Sequence, residues 1–255
     1  MNKISIKTDK EKETMRKAGK ILAEMLLELK NNIRSGVDVW ELEEKFIQMC
    51  KENNVTPSCK GYDSDGFLPP FPTGLCLSIN NQSVHCYPKK GVILKNGDIV
   101  NIDTVINLEG LHVDSSVCIP VGDVSKDAKD LIETTKKALY EAASKVKHGV
   151  RVGVLSETIQ KTVEKAGFNV LKDYAGHGIG HSMHEEPEIV CYGNKHEGPK
   201  LKDGMTICIE TLVCAGNDEV FNVNAWETRM KDGGLFCIFE HTILVTRKGY
   251  EILTR

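Results

Sequence analysis

Three histidines fall within the stretch GHGIGHSMHEEP, residues 176–187: His177, His181 and His184. On a helix, spacing i, i+4, i+7 would put all three imidazoles on one side, as in a zinc-protease helix. That helix needs His-Glu-x-x-His, with the acid beside the first ligand. Here Gly178 and Gly180 fill two of the three intervening positions, at about 1 kcal/mol each against helix. Gly176 precedes and Pro187 follows. The segment is therefore expected to be a loop or irregular strand. Its glycines suit a backbone that approaches a metal or substrate closely.

Acids are the second chemical signal. Asp103 and Asp114 sit in NIDTVINLEGLHVDSS, which reads as two apolar strands and a turn. A two-residue turn at Leu108–Glu109 would place the two aspartates opposite each other, Cβ atoms about 5 Å apart. Glu210 in MTICIETLV and Glu240 in LFCIFEHTILV repeat the pattern of one carboxylate in an apolar strand. Buried carboxylates are costly unless a shared proton or a cation neutralises them. For the Asp103–Asp114 segment alone, a solvated sheet edge is the alternative. Four such acids in four apolar strands point to bound divalent cations. Adding an imidazole shifts the preference from magnesium or calcium towards manganese, iron, cobalt or zinc. Two ions sharing bridging carboxylates would accommodate four acids and one histidine. His112 and His241 are expected to point away from the neighbouring acids, and His148 and His196 to lie on the surface.

Helices and strands must position these groups. Thr8 with Glu11 predicts a capping box and a helix to about residue 32. Asp38 with Glu41 predicts a second helix to about residue 53, and Ser125 a third running to about residue 148. A fourth covers roughly 154–166. Short β-rich runs fill 74–121 and much of the chain after 166. Helix, helix, sheet thus occurs twice, and local similarities support a duplication. LKNGDIVNID (94–103) aligns with LKDGMTICIE (201–210), and SVHCYP (83–88) with SMHEEP (182–187). The first pairs Asp103 with Glu210; the second pairs His85 with His184. The expected architecture is an α+β unit in two halves, about 1–122 and 123–255, forming one domain with the site between them.

NIDTV, GLHVDSS, GHGIGHSMHEEP, LKDGMTICIE and FEHTILV together resemble the type I methionine aminopeptidases, pita-bread metallopeptidases of family M24, along nearly the whole chain. That resemblance implies the pita-bread fold, a curved antiparallel sheet backed by helices. It implies Asp103, Asp114, His177, Glu210 and Glu240 as ligands of two divalent ions (cobalt, manganese, iron or zinc), Asp114 and Glu240 bridging. It implies removal of the N-terminal methionine by a metal-activated water, with Glu210 as base and His85 and His184 contacting substrate. Cys59, Tyr62, Cys76, Met183 and Trp226 would line the methionine pocket, and His181 has no role. Four features depart from the usual pattern: Cys86 after His85, Thr211 after Glu210, Ile238 before Glu240, and the long stretch 61–74. They leave open a divergent paralogue or an Xaa-Pro aminopeptidase.

Bulk properties agree. A net charge of −3 over 255 residues predicts no nucleic-acid footprint. No signal peptide, extra N-terminal domain or membrane span is expected. Nine scattered cysteines without a CxxC pair fit a reducing cytoplasm rather than a disulfide framework. Expected partners are peptides and nascent chains beginning with methionine, met at the ribosome, and the chain is expected to be a monomer.

Overall fold

Thr8 and Glu11 exchange hydrogen bonds between side chain and backbone, and this box opens α1 (Asp9–Asn32). Asp38 accepts from the Trp40 amide and opens α2 (Val39–Glu52). These elements belong to a computed structural model that describes residues 4–64 and 66–255. Each helix buries one stripe: Met15, Leu22 and Leu29 on α1, Leu42 and Phe46 on α2. Then come β1 (Thr56–Pro57), β2 (Cys76–Ile79) and the hairpin β3 (Ile99–Leu108) with β4 (Leu111–Pro120). The second series has α3 (Lys126–Ala143), α4 (Val152–Lys165), β5 (Asn169–Val170), β6 (Ala175–Gly178), β7 (Glu185–Val190) and β8 (Thr206–Cys214). A small hairpin of β9 (Val220–Asn222) and β10 (Thr228–Met230) precedes β11 (Phe236–Val245) and β12 (Tyr250–Ile252).

The third helix ends short of the expected position. Lys145 and Val146 donate to the carbonyls of Ala142 and Ala143, a tighter turn than α-helix, although Val146 is still buried. Apolar periodicity therefore runs past the hydrogen-bonded helix.

The main sheet runs β1-β3-β4-β11-β8-β6-β7, with β2 added to β3, β5 to β8 and β12 to β11. Its pairings are antiparallel. The central pair β4·β11 joins the two helix–helix–sheet series. α1 packs on β3 and β4, and α3 on β8 and β11. Alternation along the strands then separates two faces. Thr211 donates to the Thr135 carbonyl of α3, and His241 meets Tyr140 of the same helix. Their neighbours Glu210 and Glu240 point to the other face, which forms a cleft. Among the described residues no helix is long and apolar enough to cross a membrane.

The β3–β4 turn is one residue later than the sequence suggested. Glu109 and Gly110 are its two central residues, at φ 52° and 85°, the left-handed pair that a tight hairpin of this twist requires. Asp103 therefore faces Ser116, and Asp114 faces Val105. The register moves by two residues, so both aspartates keep the same face; a shift of one would have separated them.

Candidate metal centre and substrate cleft

Register builds the acidic site as two rows across the sheet. The first row runs Cys76 (β2), Asp103 (β3), Ser116 (β4), Glu240 (β11), Glu210 (β8), each the direct partner of the next. The second row, two residues along, contains Asp114. The Asp114 amide donates to Thr242 Oγ1, whose hydroxyl donates back to the Asp114 carbonyl. Thr242 is paired in turn with Cys208. The internal symmetry is imperfect here. Ser116 holds the place in the first half that Glu240 holds in the second, and Thr242 stands where Asp114 would be matched.

Histidines approach from the end of the sheet. β6 pairs with β7 through an irregularity between Gly176 and Gly178, where His177 alone on β6 faces the three residues Glu186, Pro187 and Glu188 of the bulged β7. Its Nδ1 donates to the Gly178 carbonyl at 2.8 Å, which leaves the Nε2 lone pair free. Nε2 lies 3.9 Å from Asp114 Oδ2. The segment is thus an irregular strand, but its glycines serve a different purpose from the one expected. A Cβ at Gly176 would overlap the Cys208 carbonyl, and one at Gly178 the Glu186 carbonyl. They allow strand-to-strand approach rather than contact with a metal or substrate. The His184 ring stacks edge-on to His177 with centroids 4.6 Å apart, and its Nδ1 is 3.4 Å from Tyr62 Oη. His85 has φ 59°, a strained conformation for a residue with a side chain. Its ring stands edge-on to Tyr174 and Trp226.

The other histidines are placed elsewhere. His181 is more than half exposed, with Nε2 3.0 Å from Glu11. His241 faces α3, hydrogen-bonded to Thr254 and Tyr140. His112 needs a correction: it is two residues from Asp114, so strand alternation does not turn it away. It stays out of the cleft because both ring nitrogens are engaged, by Asn107 and Ser58.

Electrostatics show what the acids lack. Burial pushes Asp103 up to about 6 and Glu210 up to about 8. Burial, then the neighbouring carboxylates, push Asp114 and Glu240 well above the ordinary carboxylate range. Burial likewise lowers His177 to about 3 and His85 to about 4. Asp103 Oδ1, Asp114 Oδ1 and Glu240 Oε1 are buried without a hydrogen-bond partner. Orphaned carboxylate oxygens beside a neutral imidazole with a free lone pair are the donor set a divalent cation takes. One oxygen each from Asp114 and Glu240, a nitrogen of His177 and the Cys208 sulfur lie within 4.8 Å of one another.

Above the acids lies a cleft of about 440 Å³, into which Asp103, Asp114, His177, Glu210, Glu240, His85 and His184 all reach. Cys59, Tyr62, Cys76, Met183 and Trp226 line it too, as do Leu68, Phe71, Val105, Tyr174 and Ala225, which sequence reasoning did not single out. Their apolar character carries no periodic signal, since most lie on loops. The departures divide in two. Cys86 donates to the Thr228 carbonyl, Thr211 to α3, and Ile238 sits in the core; none lines the cleft. The long stretch 61–74 does line it, through Tyr62, Ser64, Leu68 and Phe71. All nine cysteines are free and buried.

The model of metallopeptidase family M24 matches residues 13–247. The chain belongs to that family, and is a hydrolase of the divalent-metal type. Within it, the similarity is to methionine aminopeptidases. Methionine aminopeptidase 1 of Bacillus subtilis is 40% identical over 253 residues, 99% of each chain. The crystal structure of methionine aminopeptidase from Thermotoga maritima matches with a TM-score of 0.95 at 39% identity, covering 99% of this chain and 100% of that one. A prolidase from Pyrococcus horikoshii shares the fold alone: TM-score 0.73, 21% identity, 98% of this chain but 63% of that one.

Proposed function

We propose that this chain removes the N-terminal methionine from peptides and nascent proteins. The observation that carries the reading is the row of buried, partly unpartnered carboxylates at the floor of an apolar cleft, in a chain similar over its whole length to methionine aminopeptidases. Asp103, Asp114, His177, Glu210 and Glu240 would hold two divalent ions (manganese, iron, cobalt or zinc), with Asp114 and Glu240 shared. When bound, the ions would supply Lewis-acid polarisation and a water acidic enough to attack at neutral pH.

The remaining steps belong to side chains. Glu210, at the edge of the row and open to the cleft, takes the proton of the attacking water and returns it to the leaving nitrogen. Nδ1 of His184 faces the Tyr62 hydroxyl at 3.4 Å; in the tautomer where Tyr62 donates, Nε2 carries a hydrogen for the scissile carbonyl, where negative charge develops. His85 contacts the substrate backbone near the leaving nitrogen. Cys59, Cys76, Met183 and the Tyr62 and Trp226 rings offer soft, adaptable contacts to a thioether side chain. Residues 1–122 and 123–255 act as two halves of one catalytic unit, each giving one substrate histidine. The same reading takes the protein as a cytoplasmic monomer that meets its substrates at the ribosome.

Incubating the protein with a Met-Ala-Ser peptide and with Xaa-Pro peptides, in manganese, cobalt or iron, tests the reading. Methionine release is the expected result. No release with any metal would sink it, and cleavage of Xaa-Pro peptides alone would move the chain to that activity. Cleavage surviving the joint Asp103→Ala and Asp114→Ala change would sink the site assignment.

A further inference from the structure

Cys208 is the member of the acidic face that the roles above leave without a task. It precedes Glu210 by two residues on β8, so strand alternation puts it on the same face. It completes the second row, beside Thr242 and next but one to Asp114. Its backbone is also the seat of the histidine strand. Gly176 rests against the Cys208 carbonyl and Gly178 pairs with Ile207, which brings His177 over the thiol. The sulfur thus joins Asp114, His177 and Glu240 in a group of four donors within 4.8 Å of one another. Two of those partners bring buried oxygens with no hydrogen bond, Asp114 Oδ1 and Glu240 Oε1. The sulfur has two hydrogen-bond partners within the same cluster, the Glu240 carboxylate and Thr242 Oγ1 at 3.6 Å, and the Thr242 hydroxyl is also bonded to the Asp114 backbone amide and carbonyl.

We propose that Cys208 is a direct thiolate ligand of the ion held by Asp114, His177 and Glu240. This rests on the reading of those three residues as a metal centre. Four donors of this kind, two carboxylates, an imidazole and a sulfur, favour thiophilic zinc, cobalt or iron over manganese. Coordination breaks the S–H bond and forms the sulfur–metal bond; the proton leaves to solvent, so no oxidant or second reactant is needed. A cation also removes the reason for a buried thiol among carboxylates to stay protonated.

The test uses the intact protein loaded with cobalt(II), its occupancy measured by elemental analysis. A thiolate-to-cobalt charge-transfer band in the near ultraviolet is expected, and its loss in Cys208→Ser with cobalt still bound. X-ray absorption of the zinc-loaded wild type needs no variant: a sulfur neighbour at about 2.3 Å is expected. The preference for zinc over manganese should fall about tenfold or more in Cys208→Ser, and metal uptake should release about one proton fewer. Bound metal without the band and without a sulfur neighbour would overturn the proposal, leaving the thiol as a hydrogen-bond donor to Glu240 and the metal centre intact. Failure to bind any metal would overturn both readings.

Discussion

Glu240 on β11 stands directly opposite Glu210 on β8, and both carboxylates open into the same cleft. Opposed side chains in such a pair have Cβ atoms about 5 Å apart, and like charges there oppose folding. After burial, Glu210 is the largest influence holding Glu240 above the ordinary range. Glu210→Gln should therefore stabilise the metal-free protein above about pH 8 by about 1–3 kcal/mol, while abolishing hydrolysis and weakening metal binding. Denaturant melts in chelator, with metal content measured alongside, read both effects. A metal-free variant less stable than the wild type would contradict the repulsion.

The same burial gives stability a pH dependence with two opposed parts. Buried His85 and His177 are lowered to about 4 and about 3. A base depressed in the folded state makes the metal-free protein more stable as pH rises towards the ordinary histidine value of about 6.5. Glu210 is raised to about 8, and an acid raised in the folded state loses its contribution as pH climbs through that value. Between about pH 6.5 and pH 8.5 only the second effect operates. Metal-free protein should lose thermal stability across that window, metal-loaded protein should not, and the gap between their melting temperatures should widen. Melts at closely spaced pH values measure it; a constant gap would remove the cation from the electrostatic account.

The sequence was most legible where local chemistry and long-range register coincide. The caps Thr8, Asp38 and Ser125 placed three helix starts to the residue, because a cap is decided by neighbours. Asp103, Asp114, Glu210 and Glu240 were visible as acids in apolar strands, a pattern that needs no knowledge of the partner strand. Where two readings turned on one residue, the outcome was less secure. The β3–β4 turn was misplaced by one residue because Glu109 adopts a left-handed conformation that its identity does not announce. In the apolar run MTICIETLV Cys208 reads as an ordinary small buried hydrophobe, yet strand alternation sets it on the same face as Glu210. Ser116 and Thr242 were invisible because their meaning lies in the β4·β11 pairing, which joins residues more than a hundred positions apart.

His181 and His184 make a sharp contrast three residues apart. His181 is largely exposed and pairs with Glu11 at the start of α1, an exposed pair worth about 0–1 kcal/mol. His184 packs against His177 above the acids. His181→Ala should keep kcat/KM within about twofold of the wild type, whereas His184→Ala should lose about 10²–10³-fold, mainly in kcat, as expected for a donor to a developing oxyanion. Steady-state kinetics with a Met-Ala-Ser peptide decide; equal losses in the two variants would break the division of roles within this segment.

Trp226 is where the long stretch 61–74 meets the rest of the cleft. Its Nε1 donates to the Pro69 carbonyl at 2.8 Å, tying the stretch to the segment between β9 and β10. Its ring stands edge-on to Phe71 with centroids 5.2 Å apart and lies 6.2 Å from both Tyr62 and His85. Trp226→Phe keeps an aromatic wall and removes only the hydrogen bond, worth about 0.5–1.5 kcal/mol, or about two- to tenfold. Because the bond orders a wall of the cleft and touches no reacting atom, the loss should fall on KM, with kcat nearly unchanged. Trp226→Ala removes the wall as well and should raise KM further. An unchanged KM in Trp226→Phe would mean that the stretch holds its place without this tie, and that its departure from the family pattern does not shape the pocket through Trp226.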